Sequence, residues 1–576
     1  MDESRDKKPV PAPNLSGLKG YSVPRAPAPT DLPLDRNEGE APPSALLVEL
    51  AALGPALLNS YEKDRGLELR VAAMLGVAPN QVLATAGGDE AIDRAFRVYV
   101  QPDREVIVPT PTFEMLVSFA RLSGGVIKRV PWPEGAFPLE ATIAAATPRT
   151  GVIVVISPNN PTGAIATADD LRRLSAAVPH ALLLVDLAYG DFAIEDLAPV
   201  ATQLPNALII LTLSKAWGLA GLRVGFAVGP REIIERLGVA GGPHPVSKLS
   251  RAFAERWLDV GGPRKHAFVA RVRAERVALA DLLAALGAAP LPSQANFVYA
   301  RFRDAVWVRD AAAGFGIALR LVTGKDGVAC GLRITCPGND ADFGRLQHAL
   351  QTTLAPEALL FDMDGVLADV ALSYRTAIAE TARSFGVEVT PADIAAAKAA
   401  DGANDDWVVT QRLLAARGVR VDLAEATVRF EDIYQGAPGR PGLREKETLI
   451  PDPALLRELA ARMPLGVVTG RPRDDAMRFL RGAGVAELFR VVICREDAPL
   501  KPDPAPVRLA LARLGVRRAW MIGDAPDDIR AARAAGVLPL GFLPPGTPRA
   551  EVTNWLHQAG AARVLDRLDQ LKELLP

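Results

Sequence analysis

The sequence predicts an α/β protein made of two successive folding units. Three observations carry that expectation. The chain has 576 residues, more than one hydrophobic core accommodates at roughly 100–200 residues per domain. Between residues 34 and 350, short continuous apolar runs alternate with helical patterns. The runs Val106-Ile107-Val108, Val152-Ile153-Val154-Val155-Ile156 and Leu182-Leu183-Leu184-Val185 have the length and composition of strands buried on both faces of a parallel sheet. A second series of the same kind begins at Ala358 and runs to the end of the chain.

Residues 1–33 are rich in Pro and in charge and read as a mobile arm. The first twenty residues mix Asp, Glu, Lys and Arg with Pro and lack an apolar core, which is not the pattern of a signal peptide. A first domain is expected over 34–352, with helices such as 90–99 and 168–177 between its strands and a last helix over 342–354. Residues 353–357 read as a linker. The second domain spans 358–576, with strands near 358–361, 465–468, 490–493 and 519–522. Helical patterning dominates from 366 to about 460, which suggests a cap inserted over about 375–455. No internal repeat is evident. The net charge of −1 offers no global basic field for nucleic acid, and no apolar stretch is long enough to cross a bilayer. Cys330, Cys336 and Cys494 make no framework or metal cluster and are expected as buried small hydrophobes. The composition suits the reducing cytoplasm.

Lys215 is the most informative residue of the first domain. It follows the strand-like run Leu211-Thr212-Leu213, beside Ser214, with Arg223 eight positions on. A lysine that carries a phosphorylated aldehyde needs company: a phosphate cradle, an acid at the ring nitrogen, a donor at the ring hydroxyl and a flat surface. Thr85-Ala86-Gly87-Gly88-Asp89-Glu90 is a small-residue turn entering a helix, whose free N–H groups would bind phosphate. Phe113 is the stacking candidate. Asn160, in Ser157-Pro158-Asn159-Asn160-Pro161-Thr162-Gly163, is the hydroxyl donor. Asp186 ends the run 182–185, with Tyr189 a turn later. Ser214 and Arg223 complete the cradle. Taken singly, each has a plainer reading, as a surface lysine, a turn or a cap; their order and flanks set them apart.

These segments, with Ser293-Gln294-Ala295-Asn296-Phe297, resemble the fold-type I aminotransferases that use pyridoxal phosphate, and most of all the histidinol-phosphate aminotransferases. The resemblance covers 34–350. It implies a large, mostly parallel mixed-sheet domain with a small α/β domain, and a homodimer in which Tyr61 reaches the partner subunit's cofactor phosphate. It implies that Arg333 holds an acidic group of the substrates, that Arg320 assists with a substrate phosphate, and that Tyr21 and Asn37 lie near the substrate. The amino group would pass to 2-oxoglutarate, giving glutamate. This chain departs from the family pattern at Leu187, at Gly39-Glu40 and at Leu116, which bears on the substrate more than on the reaction. Regulators that use a similar domain as a sensor place a DNA-binding helix-turn-helix before it, and residues 1–33 are too short and Pro-rich for one.

The second domain offers Asp362 and Asp364 at the end of an apolar strand, two apart, so that both can face one pocket. Gly365 permits a sharp turn. Thr469 ends Leu465-Gly466-Val467-Val468, Lys501 supplies a cation, and Asp524 and Asp528 follow Met521-Ile522-Gly523. Carboxylates of this kind suit a hard divalent ion such as Mg2+. The four segments in this order resemble the haloacid dehalogenase-like hydrolases over 358–540. The resemblance implies a Rossmannoid domain with a helical cap, Asp362 as nucleophile forming an aspartyl phosphate, and Asp364 as general acid and base. Thr469 and Lys501 would stand at the phosphoryl group, with Asp362, Asp364, Asp524 and Asp528 around the metal. An acid at Asp364 favours a phosphatase over a dehalogenase. Physical linkage points to histidinol phosphate as the shared compound. Against that, the histidinol phosphatase of this superfamily carries a Cys/His zinc loop, while the three Cys and five His here are scattered. Phe361 to Val370 looks closer to the phosphoglycolate phosphatases. The alternative is therefore a transaminase for another amino acid or amino alcohol, joined to a hydrolase of that kind.

Overall fold

The computed structural model describes residues 11–18, 20, 24–52, 54–62, 64–324, 329–398 and 405–576. The chain packs as two compact units. One comprises residues 1–24, 34–305 and 319–343; the other comprises 25–33, 306–318 and 344–576.

The first unit is built on a seven-stranded sheet. Its order is Val82–Ala86, Val224–Val228, Ala207–Thr212, Leu182–Asp186, Thr150–Ile156, Glu105–Thr110, Val126–Pro131. Val224–Val228 runs antiparallel to both neighbours, and the remaining pairings are parallel. Val152 to Ile156 and Leu182 to Val185 are buried without alternation because apolar clusters cover both faces of the sheet. A five-stranded sheet has the order Leu32–Leu34, Ile317–Val322, Gly331–Thr335, Phe297–Arg301, Ala289–Pro290. In Ile317–Val322, buried and half-buried residues alternate, as expected of a sheet with one wetter face. The expected helices are Gly87–Tyr99, Ala168–Ala177 and Asp340–Leu354.

The second unit centres on a parallel sheet ordered Phe489–Ile493, Leu465–Val468, Ala358–Phe361, Ala519–Gly523, Leu538–Phe542, Arg563–Leu565. Between the first two of these strands in sequence, the chain inserts the helices Tyr374–Ser384, Pro391–Lys398, Asp406–Ala416 and Leu423–Gln435. Where the insert leaves and returns, Ala368–Asp369 pairs antiparallel with Thr448–Leu449. The helix Ala305–Gly314 joins this unit through Trp307, whose ring meets Trp520 edge-on at 5.3 Å.

The arm expected to be mobile over 1–33 is anchored in its described part. Asn14 donates to the Leu122 carbonyl. Ala28 is buried. Asp31 accepts from Arg345 at 2.6 and 2.7 Å. The Gly316 carbonyl accepts from the Asp31 and Leu32 N–H groups, so backbone pairing overrides the compositional bias. Cys330 is exposed, contrary to expectation, while Cys336 and Cys494 are buried. Cys330 directly precedes the strand Gly331–Thr335, outside the run that the sheet covers. No helix among the described residues is long and apolar enough to cross a membrane.

Candidate active sites

In the first unit the candidate residues lie where parallel strands end, which is where an open α/β sheet places its ligand crevice. Asp186 is the last residue of its strand and accepts from the Ala188 N–H at 2.9 Å. Burial pushes its carboxyl up to about 6. Tyr189 is buried; its hydroxyl accepts from Asn37 Nδ2 at 2.9 Å. Asn37 adopts φ 57° and is clamped further, by Thr335 Oγ1 at 2.8 Å and by Asn296 Nδ2 on its carbonyl at 3.2 Å. Lys215 donates to the Arg36 carbonyl at 3.0 Å and lies 5.9 Å from the centre of the Tyr189 ring. Burial, aided by Arg333, lowers its amine to about 8, so a neutral nucleophile is available near physiological pH. Gly39 and Gly218 are required here: a Cβ on either would overlap backbone, the Lys215 carbonyl and the Glu40 carbonyl respectively.

The residues expected to cradle a phosphate lie around the start of Gly87–Tyr99. Arg223, itself at φ 51°, donates from Nη2 to Asp89 at 3.0 Å. Gly87 turns the chain at φ 75° beside Arg223 Nη2, a left-handed conformation that favours glycine. Ser214 Oγ accepts from Thr212 Oγ1 at 2.9 Å. Gly88 is half-buried in the first turn of Gly87–Tyr99, and Phe113 is half-buried directly before the helix Glu114–Leu122. Asn160 is held by Arg333, whose Nη1 donates to its Oδ1 at 2.7 Å while Nη2 donates to the Asp35 carbonyl at 2.6 Å. Arg320 stands directly opposite Arg333 across the Ile317–Val322/Gly331–Thr335 ladder and pairs with Glu114 at 3.3 Å. Two facing cations repel and suit an acidic ligand. Tyr61 is exposed and stacks on His244 at 4.6 Å. Tyr21 lies outside the described residues. A buried acid, a readily neutral amine and an anion cradle match the functional groups of a phosphorylated pyridine aldehyde.

In the second unit Asp362 follows the strand Ala358–Phe361, and its N–H joins the Ile522 carbonyl at 2.8 Å. Asp362, Asp524 and Asp528 offer carboxylate oxygens within 4.8 Å of one another. Lys501 sits between two of them, 2.5 Å from Asp362 and 2.6 Å from Asp528, and also donates to the Val468 carbonyl at 3.0 Å. Burial and the neighbouring Asp528 raise the Asp362 carboxyl well above its ordinary range, against the pull of Lys501. An all-carboxylate donor set fits a hard divalent cation. Gly365, at φ 78°, is required, since a Cβ there would overlap Asp524 Oδ2. Thr469 is buried, and its Oγ1 accepts from the Arg471 N–H at 3.1 Å.

Asp364 stands apart from the other three expected metal ligands. Its side chain is not part of the carboxylate cluster among the described residues. Arg471 takes its Oδ1, from Nη2 at 2.5 Å and from Nε at 2.7 Å. The chain has already left extended geometry there, because Leu367 and Ala368 donate back to the Met363 carbonyl. The strand alternation that would align Asp362 with Asp364 therefore lapses. Arg471 itself escaped sequence reasoning. Its place two residues beyond Thr469, on a chain just leaving a strand, does not by itself mark it as buried.

A model of the class I and II aminotransferases matches residues 56–349, and a model of the haloacid dehalogenase-like hydrolases matches 356–536. The histidinol-phosphate aminotransferase of Paracoccus denitrificans is 35% identical over 336 residues, covering 56% of this chain and 90% of that protein. A protein of Phytophthora nicotianae named imidazoleglycerol-phosphate dehydratase is 46% identical over 237 residues, or 38% of this chain; the chain spans 52% of that relative's length. The solved structure of Sinorhizobium meliloti histidinol-phosphate aminotransferase in complex with pyridoxal-5'-phosphate shares the fold, with a TM-score of 0.51 at 23% identity over 56% of this chain and 90% of that one.

Proposed function

The chain belongs to the class I and II aminotransferases and carries a haloacid dehalogenase-like hydrolase domain behind that one, and we propose that it runs two reactions on one polypeptide. The first is pyridoxal-phosphate-dependent amino transfer from histidinol phosphate to 2-oxoglutarate. The second is Mg2+-dependent hydrolysis of a phosphomonoester, with histidinol phosphate the first candidate. The observation that supports this most is the convergence of Lys215, Asp186, Tyr189 and Arg223 at the carboxyl ends of the strands, with the facing pair Arg320 and Arg333 and its bond to Asn160.

Arg223, Ser214 and the N–H groups at Gly88 and Asp89 would hold the cofactor phosphate. Asp186 would face the ring nitrogen, Asn160 and Tyr189 the ring hydroxyl, and Phe113 the ring face. The cofactor, when bound, supplies an electron sink for the bonds at the reacting carbon. Lys215 Nζ, readily neutral, takes and returns the proton at that carbon. Arg333 and Arg320 orient the acidic groups of the two substrates. The exposed Tyr61 serves the partner subunit's cofactor phosphate in a homodimer. We place the enzyme in the cytoplasm, where its three free cysteines stay reduced.

In the second site Asp362 attacks phosphorus, Lys501 and Thr469 surround the phosphoryl oxygens, and Asp364 handles the proton of the leaving alcohol. Asp362, Asp524 and Asp528 would hold Mg2+, which supplies charge neutralisation. A second reading of this site keeps the hydrolysis and changes the substrate to a small phosphate such as glycolate phosphate. The acidic trio is the one metal-ligating group found among the described residues, unlike a zinc-dependent histidinol phosphatase. The test adds histidinol phosphate to the cofactor-loaded protein and follows the cofactor's visible absorbance together with free phosphate. Change in both supports the linked reading. Change without phosphate moves the hydrolase to another substrate. No change in absorbance sinks the histidinol phosphate assignment.

A further inference from the structure

A buried charge cluster that the two reactions leave unexplained lies where the cap insertion leaves and rejoins the hydrolase domain. Arg471 is 2% exposed. Its guanidinium is shared between two carboxylates from opposite ends of the cap insertion. Nε and Nη2 both donate to Asp364 Oδ1, at 2.7 and 2.5 Å. Nη1 and Nη2 donate to Glu447 Oε2 and Oε1, at 2.9 and 3.1 Å. Asp364 lies four residues before the strand by which the chain enters the cap, and Glu447 directly before the strand by which it returns. Glu447 is fixed in turn by Ser373 Oγ at 2.9 Å and the Tyr434 hydroxyl at 3.0 Å. The Tyr374 ring lies under the guanidinium at 4.8 Å. A planar cation held on one edge by a braced carboxylate has no freedom to turn, so its other edge fixes where Asp364 points. Both of its bonds to Asp364 fall on Oδ1, which leaves Oδ2 outside the clamp.

We infer that Arg471, braced by Glu447, is a positioning residue that aims the Asp364 carboxyl at the leaving-group oxygen. The inference rests on the phosphatase reading of this site. As an Asp362 oxygen bonds to phosphorus, the bond from phosphorus to the leaving alcohol breaks and its electron pair goes to the alcohol oxygen. That oxygen takes the proton from Asp364. Water then attacks the phosphorus of the aspartyl phosphate, returns a proton to Asp364, and releases phosphate with Asp362 restored.

The test uses the full chain with Mg2+ and two substrates of opposite demand. p-Nitrophenyl phosphate expels a stabilised phenolate and needs little proton donation. β-Glycerophosphate expels an alkoxide and needs it fully. A well-placed general acid contributes about 10²–10⁴-fold. Arg471→Lys, which cannot span both carboxylates, should therefore lose about 10–100-fold more kcat/KM on β-glycerophosphate than on p-nitrophenyl phosphate. Asp364→Asn should show the same imbalance, and Glu447→Gln a smaller one in the same direction. Equal losses on the two substrates for Arg471→Lys, with the imbalance kept in Asp364→Asn, would overturn the inference and leave the phosphatase reading intact. Equal losses in Asp364→Asn, or a parent protein that hydrolyses neither compound, would overturn that reading and the inference with it. If Arg471→Lys shows no cooperative unfolding transition, Glu447→Gln decides by the same comparison.

Discussion

Replacing Lys501 with methionine removes one charge at nearly constant volume, and its consequences follow from three distances. Lys501 lies 2.5 Å from Asp362, 2.6 Å from Asp528 and 3.0 Å from the Val468 carbonyl. All three side chains are buried. Burial works against the lysine's charge, but the two carboxylates outweigh it and hold its pKa above the ordinary lysine value. Without the ammonium the carboxylates face each other with no cation between them. Removing one partner of a buried pair costs about 3–5 kcal/mol. At about 2–4 °C per kcal/mol for a domain of this size, the transition of the C-terminal unit should fall by roughly 6–20 °C. Millimolar Mg2+ would restore a cation to the same cluster, so it should raise the variant's transition by more than the parent's. Calorimetry of the full chain, in EDTA and then in Mg2+, reads both effects while following the N-terminal unit as an internal reference. A loss under about 1 kcal/mol in EDTA, or the same Mg2+ response in both proteins, would refute the claim that Lys501 balances this cluster.

Three further outcomes follow from the geometry. The Lys215 amine is lowered to about 8 from 10.5. Below 8 both folded and unfolded chains hold the proton and the cost of burying it is complete; between 8 and 10.5 only the unfolded chain holds it, so stability from this group rises across that window. Covalent uptake of pyridoxal phosphate by the apo protein should accelerate through pH 8, and Lys215→Ala should abolish the pH step. Gly365→Ala places a Cβ onto Asp524 at φ 78°; it should cost about 1–2 kcal/mol and raise the Mg2+ needed for half-maximal hydrolysis about 10-fold. Arg320→Leu removes one of two facing arginines; the KM for a phosphorylated amine substrate should rise about 10-fold with kcat largely kept, and thermal stability should not fall.

How far the sequence could be read depended on what each signal measured. Buried parallel strands announced themselves because both faces are covered, so Val152-Ile153-Val154-Val155-Ile156 needed no alternation to be found. Their carboxyl ends then located Asp186, Asn160 and Lys215. Leu538–Phe542 and Arg563–Leu565 were not anticipated: Pro539 and Gly541 interrupt the apolar run of the first, and the second has only three residues; their pairing partners supply the regularity. Arg471 was illegible for a different reason. An arginine in a Gly-Arg-Pro loop has the composition of a solvated residue, and its burial depends on Glu447, 24 residues earlier at the far side of the cap. Alternation over two residues, which drew attention to Asp364, holds in a strand, and here the strand ends at Phe361, so the separation of its side chain from the carboxylate trio was not legible. The packing of residues 28–34 is tertiary in origin, set by Gly316 and Arg345 rather than by the Pro-rich composition.

The most direct test of two independent reactions on one chain is a crossed pair of variants. The parent, Lys215→Ala and Asp362→Asn would each be assayed for glutamate formed from 2-oxoglutarate and histidinol phosphate, and for phosphate released from p-nitrophenyl phosphate with Mg2+. Two sites predict that Lys215→Ala loses glutamate formation and keeps phosphate release, while Asp362→Asn does the reverse. Loss of both activities in either variant, or retention of amino transfer without Lys215, would contradict the account.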